Sequence, residues 1–230
     1  MVSSSCPDGT RPRIALIHAL SHSVAPINAA FARSWSEAVL MNLLDDSLSA
    51  DLASGQGLNA KMHQRFAALA NYAIDTGAQA ILFTCSAFGS CIDAVIKTHP
   101  TLAIFAPNSA MIEEIMGADS KVQTDEKIGL IATFRPTLDS MPREFPQPER
   151  LVPAWAEGAL AALNAGDTQS HDKLIAQSAL ALRDQGCTRI ALSQFSMARA
   201  RDLCAARTGL PVYTTVDSAV SALRKRLMTA

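Results

Sequence analysis

Two short polar corners hold most of the side chains in this 230-residue chain that could do chemistry. Thr84, Cys85 and Ser86 follow the apolar run AILF at residues 80–83, and Ser193, Gln194, Phe195 and Ser196 follow IAL at 190–192. A thiolate is a base and a nucleophile, so Cys85 can exchange a proton or attack carbon. A primary amide titrates far outside the physiological range, so Gln194 can orient a substrate but cannot serve as an acid or base. His18 and His22 lie at the end of another apolar run, residues 14–17. Their H-x-x-x-H spacing lacks the Glu of the zinc-protease signature and falls on a strand-to-loop junction, so no metal site is expected. Imidazole titrates near neutrality, which leaves either histidine open as a second acid or base or as a polar wall.

The other cysteines read differently. The count of five is odd, and no C-x-x-C pair is present. That favours reduced thiols over a disulfide framework or structural zinc. Cys91 and Cys204 fall on helical patterns, Cys187 on a strand start and Cys6 in the lead-in, all read as structural. His63 and His99 read as surface or helix-end residues. Asp45 and Asp46 end an apolar stretch and read as helix caps or as acids near the site. Phe88, Phe134 and Phe195 are equally core residues or pocket walls. Ser-Gly-Gln-Gly at 54–57 has neither Walker nor dinucleotide spacing, so a nucleotide ligand is not expected.

The elements that must position these corners are legible as a repeat. RIALIHA at 13–19 matches KIGLIAT at 127–133, a shift of 114. GAQAILFTC at 77–85 matches GCTRIALSQ at 186–194, and NSAM at 108–111 matches DSAV at 217–220, both shifted by 109. Three matches in one order at nearly one offset indicate a duplicated unit. Continuous apolar runs at 14–19, 80–83, 102–105, 128–132, 190–192 and 212–214 suit parallel strands buried on both faces. Helical periodicity covers 59–76 and 171–185, each followed by glycine (Gly77, Gly186) at the position that closes a helix. An additional strand is expected near 39–44, and residues 134–153, with five prolines, are expected to form a long loop or broken helix. The fold class is thus α/β, two similar lobes each with a parallel sheet flanked by helices, related by a pseudo-twofold with a cleft between them. The division is a flexible lead-in at 1–12, an N-terminal lobe at 13–119 that can receive the C-terminal helix, and a C-terminal lobe at 120–230. In open α/β sheets ligands bind outside the carboxyl ends of the strands, which is where both corners fall.

Composition narrows the classes further. Hydrophobic residues make up 49%, charged residues 18%, and the net charge is -1. That is ordinary globular usage with no basic face for nucleic acid, since Arg224 to Arg226 are what a last helical turn carries. The apolar runs are strand-length, far below the ~20 residues of a membrane helix. Residues 1–13 lack the apolar segment of a secretory signal, so a cytoplasmic protein is expected.

These residues resemble the aspartate/glutamate/hydantoin racemase superfamily, which includes arylmalonate decarboxylase and maleate isomerase. The carriers are the Thr84-Cys85-Ser86 corner, the IATFRPT corner at 131–137, the DDSL stretch at 45–48 and the duplication, together spanning nearly the whole chain after the lead-in. The resemblance implies a cofactor-independent enzyme and no metal. It also implies a small carboxylic-acid substrate lying between two thiols, a proton moved at the carbon alpha to its carboxylate, and a homodimer or higher homo-oligomer. Cys85 then matches the first catalytic cysteine. Thr84, Ser86, Ala87, Thr133, Ser193, Gln194 and Phe195 are expected around the substrate, Ser86 and Thr133 as carboxylate ligands. The chain departs from the pattern at the second thiol. Eight residues after Gly77 stands Cys85, and eight after Gly186 stands Gln194, while Cys187 aligns with Ala78. The expected function is therefore Cys85-mediated proton transfer. A single-cysteine decarboxylase, a cis-trans isomerase and a non-catalytic carboxylate-binding protein are the alternatives.

Overall fold

The computed structural model describes residues 11–117 and 126–228. Cys6, most of the lead-in and the 119/120 lobe boundary lie outside the described residues. Two compact units result, one of residues 11–107 with 219–228 and one of the described residues between 108 and 218.

The first unit is built on β1 (Arg13–His18), β2 (Val39–Leu44), β3 (Ala80–Phe83) and β4 (Ala103–Phe105), all parallel in the order β2-β1-β3-β4. Its helices are α1 (Val24–Ser34), α2 (Ser47–Asp51), α3 (Ala60–Asp75) and α4 (Gly89–Thr98). Ile14 to Ile17 and the whole of β3 are buried, as central strands covered on both faces must be. One face packs Ile17, Ile81 and Phe83 against Met62, Phe66, Ala70 and Ala73 of α3 and Phe88, Ile92 and Val95 beside them. The Asn59 side chain accepts the Met62 N–H at 3.0 Å to start α3. Gly77, at φ 84°, closes it: the Gly77 N–H donates to the Ile74 carbonyl at 2.8 Å, and that of Ala78 reaches the Ala73 carbonyl at 3.1 Å.

The second unit repeats the plan with β5 (Lys127–Ala132), β6 (Leu151–Trp155), β7 (Cys187–Leu192) and β8 (Val212–Thr214), parallel in the order β6-β5-β7-β8. Its helices are α5 (Ser109–Gly117), α6 (Arg135–Ser140), α7 (Ala159–Asn164), α8 (Thr168–Asp184) and α9 (Arg201–Thr208), followed by α10 (Thr215–Met228). Alternation along the strands divides the core. Ile131, Ile190 and Leu192 pack on the α8 and α9 side with Cys187 and Cys204, and Ile128, Leu130 and Ala191 pack on the α5 side with Met111, Ile115 and Phe145. Cys91, Cys187 and Cys204 are all core residues.

Two features refine the sequence expectation. Residues 134–153 take the broken-helix alternative, α6 followed by two 3₁₀ turns, and also hold the start of a strand that was not expected, β6. Pro153 masks that strand in the sequence, yet β6 pairs only with β5 and stands at the sheet edge, where a missing N–H is tolerated. Helices are also exchanged between the units. α5 follows the first sheet but packs in the second unit, and the residues of α10 from Ala219 onward belong to the first, with the Arg224 guanidinium donating to the Ser34 carbonyl at 2.9 Å.

Candidate active site

The two corners are built alike. The Thr84 N–H donates to the Ile17 carbonyl at 3.1 Å, and the Ser193 N–H donates to the Ile131 carbonyl at 3.1 Å. Each hydroxyl oxygen lies near the same carbonyl oxygen, Thr84 at 3.3 Å and Ser193 at 2.8 Å. The next residue is extended in both, Cys85 at φ −133°, ψ 117° and Gln194 at φ −134°, ψ 145°. Each then enters a 3₁₀ turn, Ser86–Phe88 before α4 and Phe195–Ala200 before α9. The backbone thus places Gln194 where the repeat places Cys85.

In the first unit Cys85 is half-buried, in a small depression lined by Ile17, His18, Ala19, Leu48, Phe66 and Phe83. Burial in these apolar surroundings pushes the thiol above its ordinary value, and a hydrogen bond from the Ala87 backbone N–H offsets only part of this. A lowered thiol is what a helix start alone would give; the turn is present at Ser86, but loss of solvent outweighs it. The resting group is the protonated thiol. Ser86 is half-buried and Ala87 exposed beside it.

His18 is fully buried beneath this corner. Its Nε2–H donates to Asn42 Oδ1 at 3.0 Å, since a carbonyl oxygen only accepts, which leaves Nδ1 to accept. The Thr84 hydroxyl lies 2.9 Å from Nδ1, and Ser23 Oγ at 3.0 Å gives its own proton to the Leu20 carbonyl at 2.7 Å. Burial pushes the imidazole below its ordinary value, the Asn42 hydrogen bond opposing it, so the ring is neutral with both nitrogens engaged. His22 is exposed on the 3₁₀ turn Ser21–Ser23. Among the described residues no group of three or more His, Cys, Asp and Glu is placed to hold a metal ion.

Asp45 is held by Arg65, whose guanidinium reaches Asp45 at 2.6 Å and Asp51 at 2.5 Å. Burial opposes the charged form of Asp45, but hydrogen bonds from Ser47 and Arg65 and the Arg65 charge outweigh it, and its carboxyl sits below its ordinary value. Asp46 precedes α2 at its N-cap position. Asp45 and Asp51 brace α2 against α3 through Arg65, while the Asp46 side chain makes no cap hydrogen bond.

In the second unit the Gln194 amide oxygen accepts three hydrogen bonds: from the Thr133 N–H at 2.7 Å, the Thr133 hydroxyl at 2.9 Å and the Phe134 N–H at 3.3 Å. Three donors converging on one oxygen form a nest for an oxyanion or carboxylate oxygen, and here the chain's own amide fills it. Ser193 and Phe195 are buried, as is Phe88, which packs on Phe66 with ring centroids 4.9 Å apart. Of the three phenylalanines only Phe134 is open to solvent. Arg135, inside the IATFRPT corner, and Trp155, which the sequence did not mark, complete this corner: the guanidinium lies 5.3 Å from the indole centroid, and the indole N–H donates to the Thr133 carbonyl at 3.4 Å. Trp155 could be noticed only by reading residues 151–155 as a strand with a C-terminal end.

No protein-family model and no curated protein sequence matches the chain. Solved structures do. Glutamate racemase from Bacillus anthracis is similar at a TM-score of 0.68 and 10% identity, over 96% of this chain and 83% of that one. Aspartate racemase from Picrophilus torridus is similar at 0.68 and 10%, over 94% of each chain. The chain has the fold of these racemases. Allantoin racemase from Pseudomonas fluorescens shares it too, at 0.61 and 15% over 95% of this chain and 93% of that one. Two parallel four-stranded sheets flanked by helices are the content of that likeness. No helix of the described residues is long and apolar enough to cross a membrane.

Proposed function

We propose that the chain is a cofactor-independent enzyme of the racemase type that moves a proton at the carbon alpha to the carboxylate of a small carboxylic acid, with Cys85 as its one proton carrier. The observation that carries this reading is the structural equivalence of Cys85 and Gln194, a thiol at one corner and an amide at the other. The proteins sharing the fold are named as racemases. Inversion requires a proton taken from one face of carbon and another delivered to the opposite face. With an amide in the second place, exchange is confined to one face.

The chemistry follows from the resting thiol. In exchange, the thiolate fraction of Cys85 takes the alpha proton, the C–H bond breaking as the S–H bond forms and the electron pair passing into the carboxylate as an enediolate; the thiol trades its proton with solvent and returns one to the same face, the S–H bond breaking as the C–H bond re-forms. The thiolate left behind is held by the Ala87 N–H and regains a proton from water. Backbone N–H groups at the start of the Ser86–Phe88 turn hold the carboxylate oxygens that take up charge in the transition state. His18 acts as a positioning residue: its neutral ring fixes Thr84, and Thr84 fixes the strand end that carries the thiol.

The raised thiol favours a second reading of the same site. Decarboxylation leaves a carbanion that needs one acid and no base, which is what a single protonated cysteine supplies. The test for either is a panel of small 2-substituted carboxylic acids and malonates in deuterated buffer. The wild type incorporates deuterium at the alpha carbon, and Cys85→Ala does not; incorporation that survives Cys85→Ala sinks both readings.

A further inference from the structure

We infer that the carboxyl end of the second sheet carries a binding site for a carboxylate attached to an apolar body, built from Arg135, Trp155 and Phe134. Trp155 is the last residue of β6 and lies beside Ala132, while Phe134 stands two residues beyond β5. In the first unit Leu44 is the last residue of β2 beside His18, and Leu20 stands two residues beyond β1. These four are exposed large apolar side chains, at 39% for Trp155, 46% for Phe134, 46% for Leu44 and 45% for Leu20. Their exposure therefore follows the position, the strand ends where α/β sheets take ligands. Only in the second unit are they aromatic, and there a cation lies over one of them, Arg135 over Trp155.

That cation has no acceptor. Among the described residues the Arg135 guanidinium makes no ion pair and no hydrogen bond; its ring interaction is with Trp155. Arg189, Arg199 and Arg183 of the same unit are paired, with Glu126, Asp172 and Asp184, while Arg143 and Arg207 are, among the described residues, unpaired like Arg135; what sets Arg135 apart is its place against an indole at the strand ends. The cation lies over the indole with its N–H groups unspent, and a guanidinium fork matches a carboxylate. Trp155 is itself tied to the Thr133 carbonyl, so the platform is set before a ligand arrives. One cation on a part-exposed indole, with Phe134 exposed at the neighbouring strand end, selects a monoanion with an apolar group over a compact polyanion such as phosphate. That the ligand is the substrate rests on the proton-transfer reading; that the site binds it does not.

The full chain contains two tryptophans. Trp35 is 2% exposed and stacked on Phe31, so a ligand at the surface reports through Trp155 emission. Cyclohexanecarboxylate is titrated against cyclohexanecarboxamide and inorganic phosphate. The expected result is a saturable change with the acid and binding about ten-fold weaker or worse with the amide, the usual worth of a charged hydrogen bond. Arg135→Gln, at an exposed position, loses about ten-fold in affinity for the acid, and Trp155→Phe loses the signal. No saturable response in the wild type, equal binding of acid and amide, equal binding of phosphate, or an Arg135→Gln variant that binds as the wild type would each overturn the site. Cys85→Ala is carried alongside. Normal titration in a wild type that exchanges no alpha proton keeps this site and removes the reaction.

Discussion

Replacing Gln194 with alanine tests the self-filled nest. The amide oxygen takes hydrogen bonds at 2.7, 2.9 and 3.3 Å, and Thr133, which supplies the two shorter ones, is 4% exposed. At about 0.5–1.5 kcal/mol for each net bond, two good bonds and one long one contribute roughly 2–3 kcal/mol. Gln194 is half-buried, so water enters the vacated place and recovers part, leaving a loss of about 1–2 kcal/mol. For a chain of this size that lowers Tm by roughly 2–8 °C. Formate then has a vacant nest in the variant and a filled one in the wild type. At ten times its Kd it returns about 1.4 kcal/mol, or roughly 3–6 °C, to Gln194→Ala alone. The assay is thermal unfolding in formate against chloride at equal ionic strength. A variant whose Tm moves by less than about 1 °C, or formate stabilisation equal in both proteins, would refute the reasoning.

Three further outcomes are expected. Gly129→Ala puts a Cβ 2.8 Å from Leu182 Cδ1 and 2.9 Å from Ile190 Cδ1 in the middle of β5; overpacking of about 1–3 kcal/mol outweighs the gain of under ~1 kcal/mol from a stiffer unfolded chain, so urea unfolding shows net destabilisation. Asp45 is held below its ordinary value, so its contribution is present above the unfolded carboxylate pKa of about 4 and is lost as pH falls through the lower folded value; the stability gap between wild type and Arg65→Gln narrows across that window, and a pH-independent gap counts against the pairing. The buried Cys85 thiol is raised, so peptide-mapped alkylation by iodoacetamide is slow at neutral pH and climbs only in the alkaline range; rapid labelling at neutral pH contradicts the assigned protonation state.

Much of the frame was legible because parallel strands buried on both faces announce themselves. β1, β3, β5 and β7 read as unbroken apolar runs, and Gly77 and Gly186 marked the ends of α3 and α8. The equivalence of Gln194 with Cys85 was legible too, since a duplicated chain carries its own alignment. What escaped depends on contacts across the chain. β6 was hidden by Pro153, whose missing N–H matters only if both strand edges are paired. The filling of the nest by Gln194 depends on the β5–β7 register, Ile131 beside Leu192, which brings residues 61 apart within hydrogen-bond reach. The state of the Cys85 thiol was not legible, because a helix start near Ser86 is local in sequence whereas the desolvation that outweighs it comes from Leu48, Phe66 and Phe83 folding around the thiol. Arg135 and Trp155 are 20 residues apart and meet only because β5 and β6 are neighbours.

The central claim is that one thiol works from one face. The measurement that reaches it most directly is the stereochemistry of deuterium at the alpha carbon of a turned-over, configurationally stable substrate or product, resolved by chiral chromatography and NMR. Label on a single face with configuration retained, absent in Cys85→Ala, is the predicted result. Label on both faces with loss of configuration in the wild type would contradict it, because a second acid or base would then stand opposite Cys85.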